Sequence, residues 1–212
     1  MAPSSKVVHL SEARRTRRAE EDPAVLAQGL RAGEGWAERA FLEQHAGHVE
    51  RILTRILGAR GDLDDLVQEV FVRAFARVED LREPRALRGW LTAIAVFVAR
   101  EAIRAGRRRS WLVFLAPEEV PDLVAPEASP EAQAAVRAFY EVMGRLDADA
   151  RIVFTLRFVE GMELAEIAGA CGVSLSTVKR RLKSAEAEFV ERGQAQEALA
   201  PWFEEGSRWP RG

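Results

Sequence analysis

Apolar residues in this chain recur every three or four positions, and polarity nowhere alternates residue by residue for long enough to build a strand. That habit predicts an all-α protein. Helices are expected near Ala24–Arg31, Trp36–Leu57, Asp62–Val78 and Pro84–Arg108, then near Glu131–Leu146, Ala148–Val159, Leu164–Cys171 and Ser174–Glu191. Gly58 and Gly61 punctuate the second boundary, and Pro84 suits a first helical turn.

Between the two groups of helices stands SWLVFLAPEEVPDLVAPEASP, from Ser110 to Pro130, with four prolines and several acids. Such a stretch reads as an extended linker with an apolar opening. The expected organisation is therefore a flexible N-terminal arm (1–22), a first helical block (23–109), a linker (110–130), a second block (131–192) and a C-terminal tail (193–212). The tail, EALAPWFEEGSRWPRG, reads as a frayed end or a small docking element, with the frayed end preferred.

Several function classes fall away on composition. The longest apolar run, WLTAIAVFVA from Trp90 to Ala99, is far short of the roughly twenty residues that a spanning helix needs, so a buried helix is expected and membrane insertion is not. The basic start of the chain has no apolar segment behind it, which argues against a secretory signal and for the cytoplasm. Cys171 is the only cysteine, leaving no internal disulfide and no cysteine-rich zinc site. His45 and His48 sit one turn apart, yet no third ligand completes a metal site, so both read as surface histidines. No phosphate-cradling glycine loop and no nucleophile beside a base suggest an enzyme or a bound cofactor. The net charge of −2 is low for a chain that binds DNA unaided, so a DNA role needs local clustering or a helper.

The segment DDLVQEVFVRAF, starting at Asp64, carries an oddity. Leu66, Val67, Val70, Phe71, Ala74, Phe75 and Val78 fall on one side of a helix, as a core face should. On the other side Asp65, Gln68, Glu69 and Arg73 surround Val72 and Ala76, an apolar centre inside a polar ring. Periodicity alone leaves the purpose of that side open, since it ought to face water.

From Leu164 the chain reads LAEIAGACGVSLSTVKRRLKSA. Ala168 is small where two helices approach, Gly172 follows four residues later at the turn, and Val178 points back six residues beyond, which describes a helix-turn-helix. Ser174 suits the N-cap of the second helix. Leu175, Val178, Leu182, Ala185 and Phe189 make its apolar stripe, while Ser176, Arg180 and Lys183 lie opposite with Thr177 and Lys179 at the flanks. Short hydroxyl side chains followed by basic ones suit a helix entering the major groove. Cys171 belongs to the packed turn.

Both blocks together resemble a sigma factor of bacterial RNA polymerase, of the compact extracytoplasmic-function (ECF) type that keeps only regions two and four. DLDDLVQEVFVRAF resembles the region two helix with its D-L-x-Q-E-x-F pattern. LRGWLTAIA resembles the segment after the promoter-melting loop, and LRFVEGMELAEIAGACGVSLSTVKRRLKSA resembles region four; the likeness spans Ala24 to Glu191 in the family's order. The resemblance implies a promoter-specificity subunit without catalysis of its own. Its partners would be the polymerase core, through the clamp helices of the largest subunit and the flap, together with promoter DNA and an anti-sigma factor.

Carried onto this chain, the clamp helices would meet Asp65, Gln68, Glu69, Val72 and Arg73. The stretch EDLREPRALR, from Glu79 to Arg88, would hold a flipped base of the minus-ten element. Arg82, Arg85, Arg88, Arg100, Arg104, Arg107 and Arg108 would supply its basic surroundings, with Arg109 continuing the track. Ser174, Ser176, Thr177, Lys179, Arg180 and Lys183 would read the minus-thirty-five element. Trp90 and Ile94 are assigned to the core. The chain departs from the family where Ala93, Val96 and Phe97 replace polar residues, a face expected to be either atypical in its promoter contacts or covered by a helix or partner. It departs again with Arg180 where serine is frequent and Ser184 where arginine is frequent. The rival reading is a free-standing helix-turn-helix regulator, which leaves the patch around Val72 without a purpose.

Overall fold

The computed structural model describes residues 22–58, 60–110 and 129–204, and the regular elements among them are all helical. The first block contains α1 (Pro23–Arg31), α2 (Gly35–Leu57), α3 (Leu63–Ala76) and α4 (Leu87–Ser110). The second contains α5 (Pro130–Arg145), α6 (Ala148–Phe154), α7 (Leu164–Cys171) and α8 (Leu175–Gly193), followed by the short α9 (Ala200–Glu204). The N-terminal arm before Asp22, the linker at 111–128 and the tail beyond 204 lie outside the described residues.

In the first block, Asp22 caps α1 by accepting from the Ala24 N–H, and Pro23 takes the position where its missing donor costs nothing. Helix α1 crosses α2 closely: a Cβ on Gly29 would sit 2.6 Å from Cζ2 of Trp36, so glycine is what the crossing tolerates. Phe41 of α2 meets Phe71 and Phe75 of α3 edge-on, with ring centres 5.5 and 5.8 Å apart. Val70, Phe71 and Ala74 are buried, while Leu66, Val67, Phe75 and Val78 pack half-buried against the core, the inward face that the spacing predicted.

Helix α3 stops at Ala76, two residues earlier than expected, because Arg77 leaves the helical region at φ −122°. Two 3₁₀ turns, Val78–Asp80 and Pro84–Ala86, then lead into α4, which starts three residues later than expected. Leu81 between them is buried, and its carbonyl accepts from Arg31, so this stretch is tied to α1.

In the second block, Ser129 caps α5 and Asp147 caps α6. The expected helix Ala148–Val159 changes character at Thr155–Val159, a π turn in which the Glu160 N–H donates to the Thr155 carbonyl at 3.0 Å. Phe154 stacks on Phe189 with ring centres 4.7 Å apart, and Phe139 joins at 5.5 Å from Phe189. The first part of the tail returns to this core: Leu199 is buried, and the Phe203 ring lies over Gly193, where a Cβ would meet it at 2.7 Å.

The two blocks touch directly. Helix α7 packs along α4, and Ile167, Ala170 and Cys171 of α7 share one buried cluster with Val96 and Ala99 of α4. The Ala93, Val96 and Phe97 face is accordingly split: Val96 is fully buried, Ala93 half-buried, and Phe97 turned outward. Ile94 is buried, and Trp90 packs half-buried against the same core.

The surface placement expected of His45 and His48 is corrected: both are half-buried. The Phe41 ring packs edge-on to His45 at 5.1 Å. Arg51 donates to Nδ1 of His48 at 3.0 Å, so Nε2 carries the proton and reaches Thr92 Oγ1 at 2.8 Å; that hydroxyl donates in turn to the Arg88 carbonyl. Burial, then the positive charges of Arg88 and Arg51, bring the His48 pKa down to about 4.

Candidate functional site

Three surfaces stand out, and the first is the outer side of α3. Val72 is 60% exposed in the middle of that helix. Asp65 and Gln68 are exposed beside it, and Glu69 and Arg73 are half-exposed. Arg73 is the most constrained of the five: its Nε donates to Glu69 at 2.5 Å, its Nη1 pairs with Glu101 at 2.7 Å, and its guanidinium stands over the Phe97 ring. Those bonds, Glu69's first, raise its pKa. Phe97, itself 40% exposed, and Glu101 come from α4, so the polar ring and its apolar centre extend across two helices. The sequence reading missed this extension. Phe97 and Glu101 are one turn apart on α4, an i, i+4 pair opposite its buried stripe, and that spacing was the available signal.

The second surface surrounds the two 3₁₀ turns. Arg82, Arg85 and Arg88 are exposed there, and Arg104 is exposed further along α4. Arg100 is different: its Nε donates to Asp149 of α6 at 2.8 Å, which withdraws it from the others. Arg107 and Arg108 continue α4 in backbone, and their side chains lie outside the described residues.

The third surface is the start of α8. Gly172 ends α7 in the left-handed conformation, φ +65° and ψ 36°, which makes the tight turn possible. Ser174 then caps α8, accepting from the Thr177 N–H at 3.2 Å, and its hydroxyl lies 2.9 Å from those of Ser176 and Thr177. Ser176, Lys179, Arg180 and Lys183 are exposed and Thr177 is half-exposed. Val178, Leu182, Ala185 and Phe189 are buried, as the stripe required, but Leu175 is 42% exposed and is not part of it. As the first residue of α8 it sits before the helix reaches the core. Arg181, absent from the sequence reading, pairs with Asp149 at 2.9 Å.

Burial raises the Cys171 thiol pKa, so it stays protonated and packs as a small apolar group. Among the described residues no group of three His, Cys, Asp or Glu is placed to hold a metal ion, and no helix is long and apolar enough to cross a membrane.

Comparison with known proteins gives two family matches: Sigma-70 region 2 over residues 41–109 and Sigma-70, region 4 over residues 137–188. The RNA polymerase sigma factor CnrH of Cupriavidus metallidurans is 32% identical over 138 residues, covering 60% of this chain and 71% of that protein. The ECF RNA polymerase sigma-E factor of Haemophilus influenzae is 28% identical over 176 residues, 79% of this chain and 92% of that protein. A "Probable RNA polymerase sigma factor RfaY" of Xanthomonas campestris is 32% identical over 128 residues, 58% of this chain, and the match spans only 32% of its length. Among solved structures, the sigma factor RpoE in complex with the anti-sigma factor NepR from Bartonella quintana has a similar fold, with a TM-score of 0.57 and 23% identity over 73% of this chain and 94% of that one.

Proposed function

This chain belongs to the ECF type of RNA polymerase sigma factors, and from that premise we propose that it recruits core polymerase through the outer face of α3 and brings it to promoters read by α4 and α8. Sigma factors bind RNA polymerase core and promoter DNA and are not enzymes. The observation that carries the docking assignment is Val72, exposed inside its ring of Asp65, Gln68, Glu69 and Arg73. A large apolar side chain held in water at the centre of a polar rim supports a partner interface. The partner surface is the clamp helices of the largest subunit, with the flap receiving the second block.

The remaining assignments follow the same blocks. Residues 23–109 act as region two, with Arg82, Arg85, Arg88, Arg100, Arg104, Arg107 and Arg108 serving minus-ten recognition and melting. Residues 131–192 act as region four, with Ser174, Ser176, Thr177, Lys179, Arg180 and Lys183 at the minus-thirty-five element. Residues 1–22, 110–130 and 193–212 serve as arm, linker and tail. Polymerase supplies most of the nonspecific DNA affinity, which is why a chain of net charge −2 suffices. The site of action is the cytoplasm, and an anti-sigma factor holds the chain in reserve, a role supported by the partner in the Bartonella complex.

The test is transcription by purified core polymerase with and without the chain. Transcripts from a cognate promoter are expected only with the chain present, and Glu69→Lys is expected to weaken core association while leaving the fold intact, because Arg73 keeps its pair with Glu101. Undiminished core affinity and transcription with that variant would remove the docking assignment. A free-standing regulator would instead bind its DNA tightly without polymerase.

A further inference from the structure

Among the described residues four large apolar side chains stand exposed: Leu42, Val72, Phe97 and Leu175. Val72 and Phe97 belong to the patch shared by α3 and α4. Leu175 is set apart from them as the first residue of α8, the recognition helix of the helix-turn-helix. Its spacing would place it at the margin of the buried stripe, yet it is 42% exposed while Val178 and Ala185 have no exposed surface.

The groups around Leu175 are hydroxyls turned toward one another. Ser174 Oγ accepts from the Thr177 N–H at 3.2 Å and lies 2.9 Å from both Ser176 Oγ and Thr177 Oγ1. These side chains are short and engaged with the cap, so Leu175 reaches furthest from the first turn. At about 100° per residue it stands about 40° from the exposed Lys179, on the same flank. Arg180 lies about 7.5 Å further along the axis, against a base-pair rise of about 3.4 Å, so the two positions stand over different base pairs.

Of the groups that distinguish base pairs in the major groove, the thymine 5-methyl alone is apolar; the others are hydrogen-bond donors or acceptors. A leucine pressed on a donor or acceptor strips its water and offers no bond in return. Against a methyl group it removes apolar surface from water on both partners. Resting on the reading that α8 enters the groove at the minus-thirty-five element, we propose that Leu175 is a specificity-determining residue that contacts the 5-methyl group of one thymine there. It selects by shape and by exclusion of water, beside the polar contacts of Arg180, and it disfavours bases whose polar edges it would leave unpaired.

The experiment uses the full chain bound to core polymerase on a cognate promoter. Each thymine of the minus-thirty-five element, on either strand, is replaced in turn by uracil, which lacks only the 5-methyl group, and promoter affinity is measured for the parent, Leu175→Ala and Leu175→Met. For the parent, one replacement is expected to weaken binding about fourfold, the effect of one methyl-sized group returned to water. Leu175→Ala is expected to bind the unmodified promoter about fourfold less tightly and to lose its response to uracil at that position, while Leu175→Met keeps the response. Its affinity for core polymerase is expected to match the parent's, because Leu175 lies off the α3 patch. The assignment of Leu175 is overturned if no uracil weakens binding of the parent, or if the losses from Leu175→Ala and from uracil multiply at every position, as independent contributions do. It is also overturned if Leu175→Ala weakens core binding and leaves promoter recognition unchanged. A parent that fails to carry polymerase to the promoter would overturn the proposed function and this assignment with it, whereas a parent that does so without coupling at Leu175 removes this assignment alone.

Discussion

The guanidinium of Arg73 lies 5.0 Å from the centre of the Phe97 ring, joining α3 to α4 at the edge of the exposed apolar spot. The same arginine is held from both sides by Glu69 and Glu101. An arginine fixed by two carboxylates and a ring loses little freedom when a partner arrives, which favours tight docking.

Val72→Ala should therefore separate folding from binding. Its side chain is mostly in water, so the change should alter stability by no more than about 0.5 kcal/mol. Core affinity should fall by about 2 kcal/mol, roughly thirtyfold. Denaturant unfolding and a core-binding titration on the same preparation check both halves.

Phe97→Ala tests whether the patch reaches α4. The lost contact with Arg73 is worth about 0.5–1 kcal/mol to the fold. If the interface includes Phe97, core affinity falls together with that of Val72→Ala, and the double variant is less than additive in a binding cycle. Unchanged core affinity in Phe97→Ala alone would place Phe97 outside the interface, whereas strict additivity would show only that the two residues act independently.

Gly172→Ala should lower stability by about 1–2 kcal/mol, since an alanine must adopt the left-handed turn. Nothing lies within 4 Å of the added Cβ, so the penalty is conformational and not steric. Thermal unfolding should shift down by roughly 3–6 °C; an unchanged midpoint would mean that the turn adopts a different conformation.

Acidification should destabilise the chain through His48. Between the ordinary value of 6.5 and about 4, the unfolded chain takes up a proton that the folded one refuses, so stability is highest above 6.5 and is lost as pH falls through that window. His45, lowered by burial and by Arg88, acts in the same direction. Urea midpoints at pH 7 and pH 5 should differ for the parent and differ less for His48→Gln. Equal midpoints in the parent would contradict the assignment.

On α8, Arg180 and Lys183 should differ in kind. Arg180, nearer the helix start, is expected to alter base preference when changed to alanine. Lys183→Ala should weaken binding evenly across sequences and reduce the salt slope by about one. Footprinting of the polymerase complex on promoter variants over a range of salt distinguishes the two.

Much of this molecule was legible from residue spacing because the determinants are local. The α3 core face, the exposed Val72, the Ser174 cap and the turn at Gly172 each depend on residues within a few positions of one another. What escaped depends on tertiary choice. Arg100 reads as one of a run of arginines, yet its partner lies 49 positions away on α6. The π turn at Thr155–Val159 has no spacing signature, and the helical period simply continues through it. Leu175 matches the apolar stripe of α8 by angle but falls before the core begins, and the two histidines look solvent-facing until Phe41 and Thr92 close over them.

The contact of Phe203 with Gly193 also bears on where this protein can be cut. A protease that nicked the chain just after α8 would remove a wedge from the interior, baring the Phe189 ring and the hole left by Leu199. Shortened forms ending near residue 193 should thus be more prone to clump and to melt early, although they retain every residue of the recognition helix.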